Sequence, residues 1–238
     1  MALPSTMLVS FIFIAHINGV ESLIQSIPRI PYALIGSILY VLVYFLSART
    51  LEPFQIPLSL KIFLSWIIAN LCWIIFPILS TQFPQDNIWF SFSIYLIAVV
   101  IIQPIFIWIS NKYPNQNKPH KMTKSELLFR VCFSGTIVAL ALILSKTAGS
   151  YWGVIIGASY PASFGSQLII FQRRYPASFL VNAIRVIPIG LIPLIIFTIS
   201  VSYTYQPLGI FIGTLLSIIF CLITAWLISQ SSKRFINK

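Results

Sequence analysis

Residues 88–110 read IWFSFSIYLIAVVIIQPIFIWIS. No formal charge occurs anywhere in this run, and its only strongly polar side chain is Gln103, beside Pro104. A bilayer's hydrocarbon core needs about 20 consecutive apolar residues in a helix. The run meets that length. It reads as a membrane span whose Gln103 serves as interhelical glue.

The same pattern recurs outward in both directions. Apolar runs occupy 3–23, 32–51, 60–79, 88–110, 127–144, 151–171, 179–201 and 208–228. The first is interrupted in its second half by His16, Asn18 and Glu21. Composition agrees with the pattern. Hydrophobic residues make up 58% of the 238, charged residues 8%, and the mean hydropathy is +0.93. Soluble domains carry about a quarter charged residues, so lipid must be the solvent for most of this surface. The expected fold class is all-α, a polytopic transmembrane helix bundle of about eight spans.

The net charge of +11 would suggest nucleic acid in a soluble chain. Here the cations cluster between apolar runs, which is the pattern of membrane orientation. With the N-terminus inside, the inner connections hold Arg49, Lys61, Lys112, Lys118, Lys121, Lys124, Arg173 and Arg174, and the tail adds Lys233, Arg234 and Lys238. The outer connections hold only Arg29 and Lys146. Both termini are therefore expected on the cytoplasmic side of a cell membrane. No basic stripe interleaved with stacking aromatics points to nucleic acid. Residues 1–25 lack Lys and Arg, so the first run reads as a retained span rather than a secretory leader.

The one sizeable hydrophilic connection, 111–126 (NKYPNQNKPHKMTKSE), separates 1–110 from 127–238. Each part holds four runs, which raises an internal duplication as an expectation. Placing 59–110 over 178–229 aligns two run pairs without a gap and matches Ser59 with Ser178, Phe92 with Phe211, Leu96 with Leu215 and Ser110 with Ser229. Two such units would share one orientation, related by an axis along the membrane normal.

Chemistry-bearing residues are few. Residues 155–170 read IIGASYPASFGSQLII. Pro161 removes a helix donor and clashes with a carbonyl one turn back, so a kink or break is expected near Gly157–Ser159. In lipid every backbone polar group needs a partner. Freed carbonyls, Ser159, Ser163 and Gln167 could line a polar cavity, as in discontinuous transporter helices. A tightly packed kinked helix whose serines bond their own backbone is the other reading. In the first run, Asn18, Glu21 and Gln25 fall at helical spacings on one face, with His16 nearby. They read either as a membrane cation or proton site or as a polar collar at the outer end, with Glu21 near Arg29. Asn182 and Arg185 share a face of the seventh run. They read either as an anion or lipid-headgroup contact or as an arginine snorkelling toward the inner side. Glu126 and Arg130 form an i, i+4 pair at a helix start. Cys72, Cys132 and Cys221 lie in apolar runs without a C-x-x-C pattern and read as fillers.

No phosphate-binding Gly-Lys loop, HExxH, Gly-x-Ser-x-Gly elbow or acidic cluster for Mg²⁺ occurs. An enzyme, a cofactor and a metal are therefore not expected. The stretch LLFRVCFSGTIVALALILSKTAGSYWGVIIGASYPASFG (127–165), the basic turn QRRYP and the helix of Arg185 resemble the GlpM-like family of small four-span bacterial inner-membrane proteins, over 129–228. The resemblance implies a membrane location and four-span units, and it carries no catalytic residue. The first half departs from it, since 32–51 has no counterpart of Pro161. The expected function is a small-solute permease or exporter with a polar path between two helical units. The alternative is a non-transporting component that supports envelope lipid or polymer assembly, or a larger complex. Membrane lipids are the expected partners.

Overall fold

The computed structural model describes residues 5–82, 87–112 and 122–236, with side chains at all of these except 177, 182–185 and 231–236. Lys118 and Lys121 of the basic connection lie outside them. Among the described residues the protein is all-α, 90% helical and without strands. The helices are α1 (Ser5–Asn18), α2 (Val20–Ser26), α3 (Ile30–Leu51), α4 (Leu58–Ser80), α5 (Ile88–Asn111), α6 (Lys124–Thr147), α7 (Ser150–Ser159), α8 (Ala162–Arg174), α9 (Val181–Gly190) and α10 (Ile192–Ile236). Five stretches are long and apolar enough to cross a membrane: Val20–Leu51, Leu58–Ser80, Ile88–Asn111, Lys124–Thr147 and Val186–Gln230. The bent pair α7–α8, counted as one crossing, makes six.

Helix α3 is the axis of the bundle. Of the apolar window within Val20–Leu51, 67% is inside the protein, against 11–22% for the other four. Ala33, Ile38, Tyr40, Val41, Tyr44 and Phe45 are fully buried. Helices α4, α5, α7, α8 and α9 surround α3. The outer faces of α4, α5, α6 and α10 are apolar and open. Val100 is 72% and Phe211 78% exposed, as hydrocarbon-facing residues would be.

The expected first run, 3–23, is not one helix. Gly19 stands at φ +88° and ψ 153°, which ends α1 at Asn18 and starts α2 in a new direction. Glycine lacks the Cβ that penalises this region. At the other end of the chain, α10 is assigned as one element, yet Gly209 inside it stands at φ +74° and ψ 170°. A straight helix would put Thr204 and Ser217 about 20 Å apart at 1.5 Å per residue. Their hydroxyls are 3.3 Å apart, and the Tyr205 hydroxyl lies 2.7 Å from Thr214 Oγ1. The chain therefore doubles back around Pro207–Gly209 as a helical hairpin. Its close approach needs Gly213, where a Cβ would fall 2.8 Å from the Tyr205 ring.

Side-chain contacts gather the connections at two ends. At one end Asn18 bonds Ser145 in both directions (3.0 and 3.1 Å), Ser22 bonds Ser150 (2.7 Å), and Arg29 lies over the Tyr151 ring (4.5 Å). Tyr151 in turn meets Ser80 (2.7 Å), and Trp89 Nε1 donates to Tyr203 (3.1 Å). At the opposite end Arg49 pairs with Glu52 (2.6 Å), Lys61 donates to the Glu52 carbonyl (2.7 Å), and Arg174 pairs with Glu126 (2.6 Å). Glu126 also accepts from the Thr123 amide (2.8 Å), which closes a capping box at the start of α6. The expected partner of Glu126, Arg130, lies against the Met122 sulfur instead (4.0 Å).

Candidate functional site

Helix α7 ends at Ser159 and α8 begins at Ala162, with a 42° bend between them. Tyr160 is extended (φ −63°, ψ 128°) and Pro161 has φ −78°, ψ 50°. The break falls one residue beyond the expected Gly157–Ser159. Pro161 tolerates the last turn of α7 only by leaving the helix, since its ring disfavours the α conformation at Tyr160. Helix α7 extends about 15 Å from the Asn18–Ser145 end at 1.5 Å per residue, and α8 about 20 Å to the Arg174 end. The break therefore lies near mid-depth.

Its backbone is satisfied locally and by α3. The Ala162 amide donates to the Tyr160 carbonyl (2.8 Å), and the Gly165 amide to the Pro161 carbonyl (2.6 Å). The Ser159 carbonyl accepts from the Ser37 hydroxyl of α3. Ser159 itself donates to the Ile155 carbonyl (2.7 Å), and Ser166 to the Ala162 carbonyl (2.8 Å). These serines bond their own helices, as the packed-helix reading expects.

A cleft opens at the break, with a cavity of about 30 Å³. Its polar lining comes from Thr6, Ser37, Ser159, Tyr160 and Ser163, so both halves of the chain contribute. Among the described residues no charged side chain lines it. Behind it lies an aromatic cluster. Tyr160 meets Trp73 edge-to-face at 5.0 Å and Tyr40 at 6.5 Å, and Tyr40 meets Tyr44 at 6.2 Å. The hydroxyls of Tyr40 and Tyr44 and the Trp73 indole N–H are buried without a hydrogen-bond partner among the described residues. A buried polar atom left so costs about 1–3 kcal/mol. Gly165 admits Tyr40, whose hydroxyl would lie 2.9 Å from a Cβ there. Gly157 admits Ser10 of α1 in the same way.

The sequence candidates separate into two places. Ser159, Pro161 and Ser163 line the cleft, and Gln167 is half-buried one turn beyond Ser163. His16, Asn18 and Glu21 do not join them. His16 lies nine residues beyond Met7, a cleft residue, which is about 14 Å along α1. It borders a separate groove formed with Ile210, Phe211 and Thr214 of α10. Asn18 spends its amide on Ser145, and Glu21 is exposed. The expected shared face of Asn18 and Glu21 is absent because Gly19 separates their helices. Arg29 faces Tyr151 rather than Glu21. Asn182 and Arg185 fall within α9, but their side chains lie outside the described residues. No cluster of three His, Cys, Asp or Glu able to hold a metal occurs among the described residues.

Sequence reasoning missed Ser37 and Tyr40. The signal was present. Ser37, Tyr40 and Tyr44 recur at helical spacing, which places one polar-tipped stripe along α3. Comparison with protein-family models, with curated proteins and with solved structures gives no match.

Proposed function

We propose that the protein is a multi-pass membrane permease or exporter for a small, uncharged polar solute, whose path runs through the cleft at the α7–α8 break. One observation carries this reading: a broken helix at mid-depth whose cleft is lined by hydroxyls from both halves and, among the described residues, by no charge. An uncharged lining favours a neutral solute, because an ion without a counter-charge would be costly there. With the α7–α8 pair and the two arms of α10 each crossing once the count is seven; the eighth crossing would be α1, whose 14 described residues rise about 21 Å and fall short of the roughly 20 residues a crossing takes. The described cations support a cytoplasmic N-terminus. Seven of them (Arg49, Lys61, Lys112, Lys124, Arg130, Arg173 and Arg174) lie at the end opposite Arg29 and Lys146. The duplication and the likeness to GlpM-like four-span proteins belong to the same proposal.

The test is cysteine labelling in the cell membrane. In a chain freed of Cys72, Cys132 and Cys221, cysteines at Ser159, Ser163 and Gln167 are expected to react with a membrane-impermeant thiol reagent. Uniform protection at all three counts against a path. Reporters fused after Lys121 and after Lys146 are expected inside and outside, respectively. The second reading is a non-transporting component that supports envelope lipid or polymer assembly through its helix faces. It is favoured by the cavity volume, since 30 Å³ holds only one or two waters.

A further inference from the structure

At the cation-rich end, α6 begins beside the last turn of α8. A cavity of about 480 Å³ lies between them, lined by Thr123, Ser125, Glu126, Phe129, Ile169, Ile170, Arg173 and Arg174. It is separate from the cleft at Pro161. Its lining divides by chemistry. Arg173 and Arg174, with the Thr123 and Ser125 hydroxyls, form a polar rim. Phe129, Ile169 and Ile170 form an apolar wall. Next to that wall the outer surface of α6 is open hydrocarbon, with Leu128 64% and Val131 61% exposed.

The two arginines of the rim differ in their partners. Glu126 uses one oxygen on the Thr123 amide and the other on Arg174 Nε, at 2.6 Å, so Arg174 is held in place with its charge balanced. Arg173 has no carboxylate partner among the described residues. The cavity thus keeps one uncompensated guanidinium, whose planar fork matches two oxygens of a phosphate.

We propose that this cavity binds an anionic diacyl phospholipid from the leaflet at that end, with its phosphate on Arg173 and its acyl chains against Phe129, Ile169 and Ile170. The proposal rests on the reading of the chain as membrane-spanning and not on transport. Charge complementarity selects an anionic headgroup, and the continuous apolar wall selects a lipid over free phosphate. Neighbouring cations such as Lys112 lie at the same end but outside the cavity, and Lys112 instead lies 3.5 Å from the Trp108 ring centre.

The experiment is a lipid titration of the purified chain in neutral detergent, read by native mass spectrometry. Phosphatidylglycerol, phosphatidylcholine and inorganic phosphate are the three probes. Phosphatidylglycerol is expected to stay bound at least tenfold more tightly than phosphatidylcholine. Arg173→Gln is expected to remove that preference, Arg173→Lys to restore only part of it, and Lys112→Gln to change it less than twofold. Equal losses from Arg173→Gln and Lys112→Gln would mean diffuse surface attraction and overturn the proposal. Inorganic phosphate that displaces the lipid at equal concentration would also overturn it. An unchanged melting curve for Arg173→Gln shows that its loss is not misfolding. If that variant melts early, Phe129→Ser replaces it, with the same loss expected for lipid and none for inorganic phosphate.

Discussion

Helix α3 and the α7–α8 pair run side by side through the same core, yet one is straight and the other is broken. Helix α3 keeps its two prolines, Pro28 and Pro31, at or before its first turn, where a missing N–H costs nothing. The α7–α8 pair places Pro161 between two arms of 10 and 13 residues. The straight helix can therefore fill the centre with large side chains from Tyr40 to Phe45. The broken one must take hydrogen bonds from its neighbour, and it takes one from Ser37. The comparison teaches that the break is sustained by the intact helix beside it.

The strongest challenge to that comparison is removal of bulk from the axis. Phe45→Ala is expected to destabilise the protein by about 3–5 kcal/mol, read by unfolding in mixed detergent. A loss no greater than that at a lipid-facing position would show that α3 is not the axis. Gly153→Val comes next. Its Cβ would fall 2.6 Å from the Ala141 carbonyl of α6, so α7 must separate from α6. About 3 kcal/mol is expected in the same assay.

Ser37→Ala sharpens the link between the two helices. It strands the Ser159 carbonyl, at a cost of about 1 kcal/mol. In a Pro161→Ala background the helix can close its own ladder, and the same change is expected to cost close to nothing. A double-mutant cycle measures the difference. Additive losses would separate the Ser37 bond from the break. The smallest effect is expected on the open outer surface. Phe211→Ala, on an open face of α10, should move stability by under about 0.5 kcal/mol.

Much of the architecture was legible as one-dimensional hydropathy. The runs at 60–79, 88–110 and 127–144 fall within α4, α5 and α6, and the first two match their helices to within two residues at each end. The break near Pro161 was legible because proline removes a donor wherever it stands. The site was legible in part. Ser159 and Ser163 reach the cleft, whereas His16, Asn18 and Glu21 lie elsewhere. Their helical spacing assumed a continuous helix. A single glycine at φ +88° invalidates that assumption, and the Asn18-Gly19 dipeptide, a turn former, is the sequence signal for it.

The sequence by itself determined the solvent of this chain, the positions of most apolar runs, the uneven distribution of its cations and one helix break. Each of these depends on the transfer of a segment between water and lipid, or on the covalent structure of one residue. Only the tertiary structure decided which helix lies at the centre. The apolar window of the most buried stretch, Val20–Leu51, has a mean hydropathy of 1.9, below the 2.3–2.5 of the windows in the exposed stretches. Lipid tails are as apolar as leucine, so hydropathy cannot distinguish a face against protein from a face against lipid. Close approaches at Gly153, Gly157, Gly165 and Gly213 make that distinction, and they exist only between segments distant in sequence or folded back on one another.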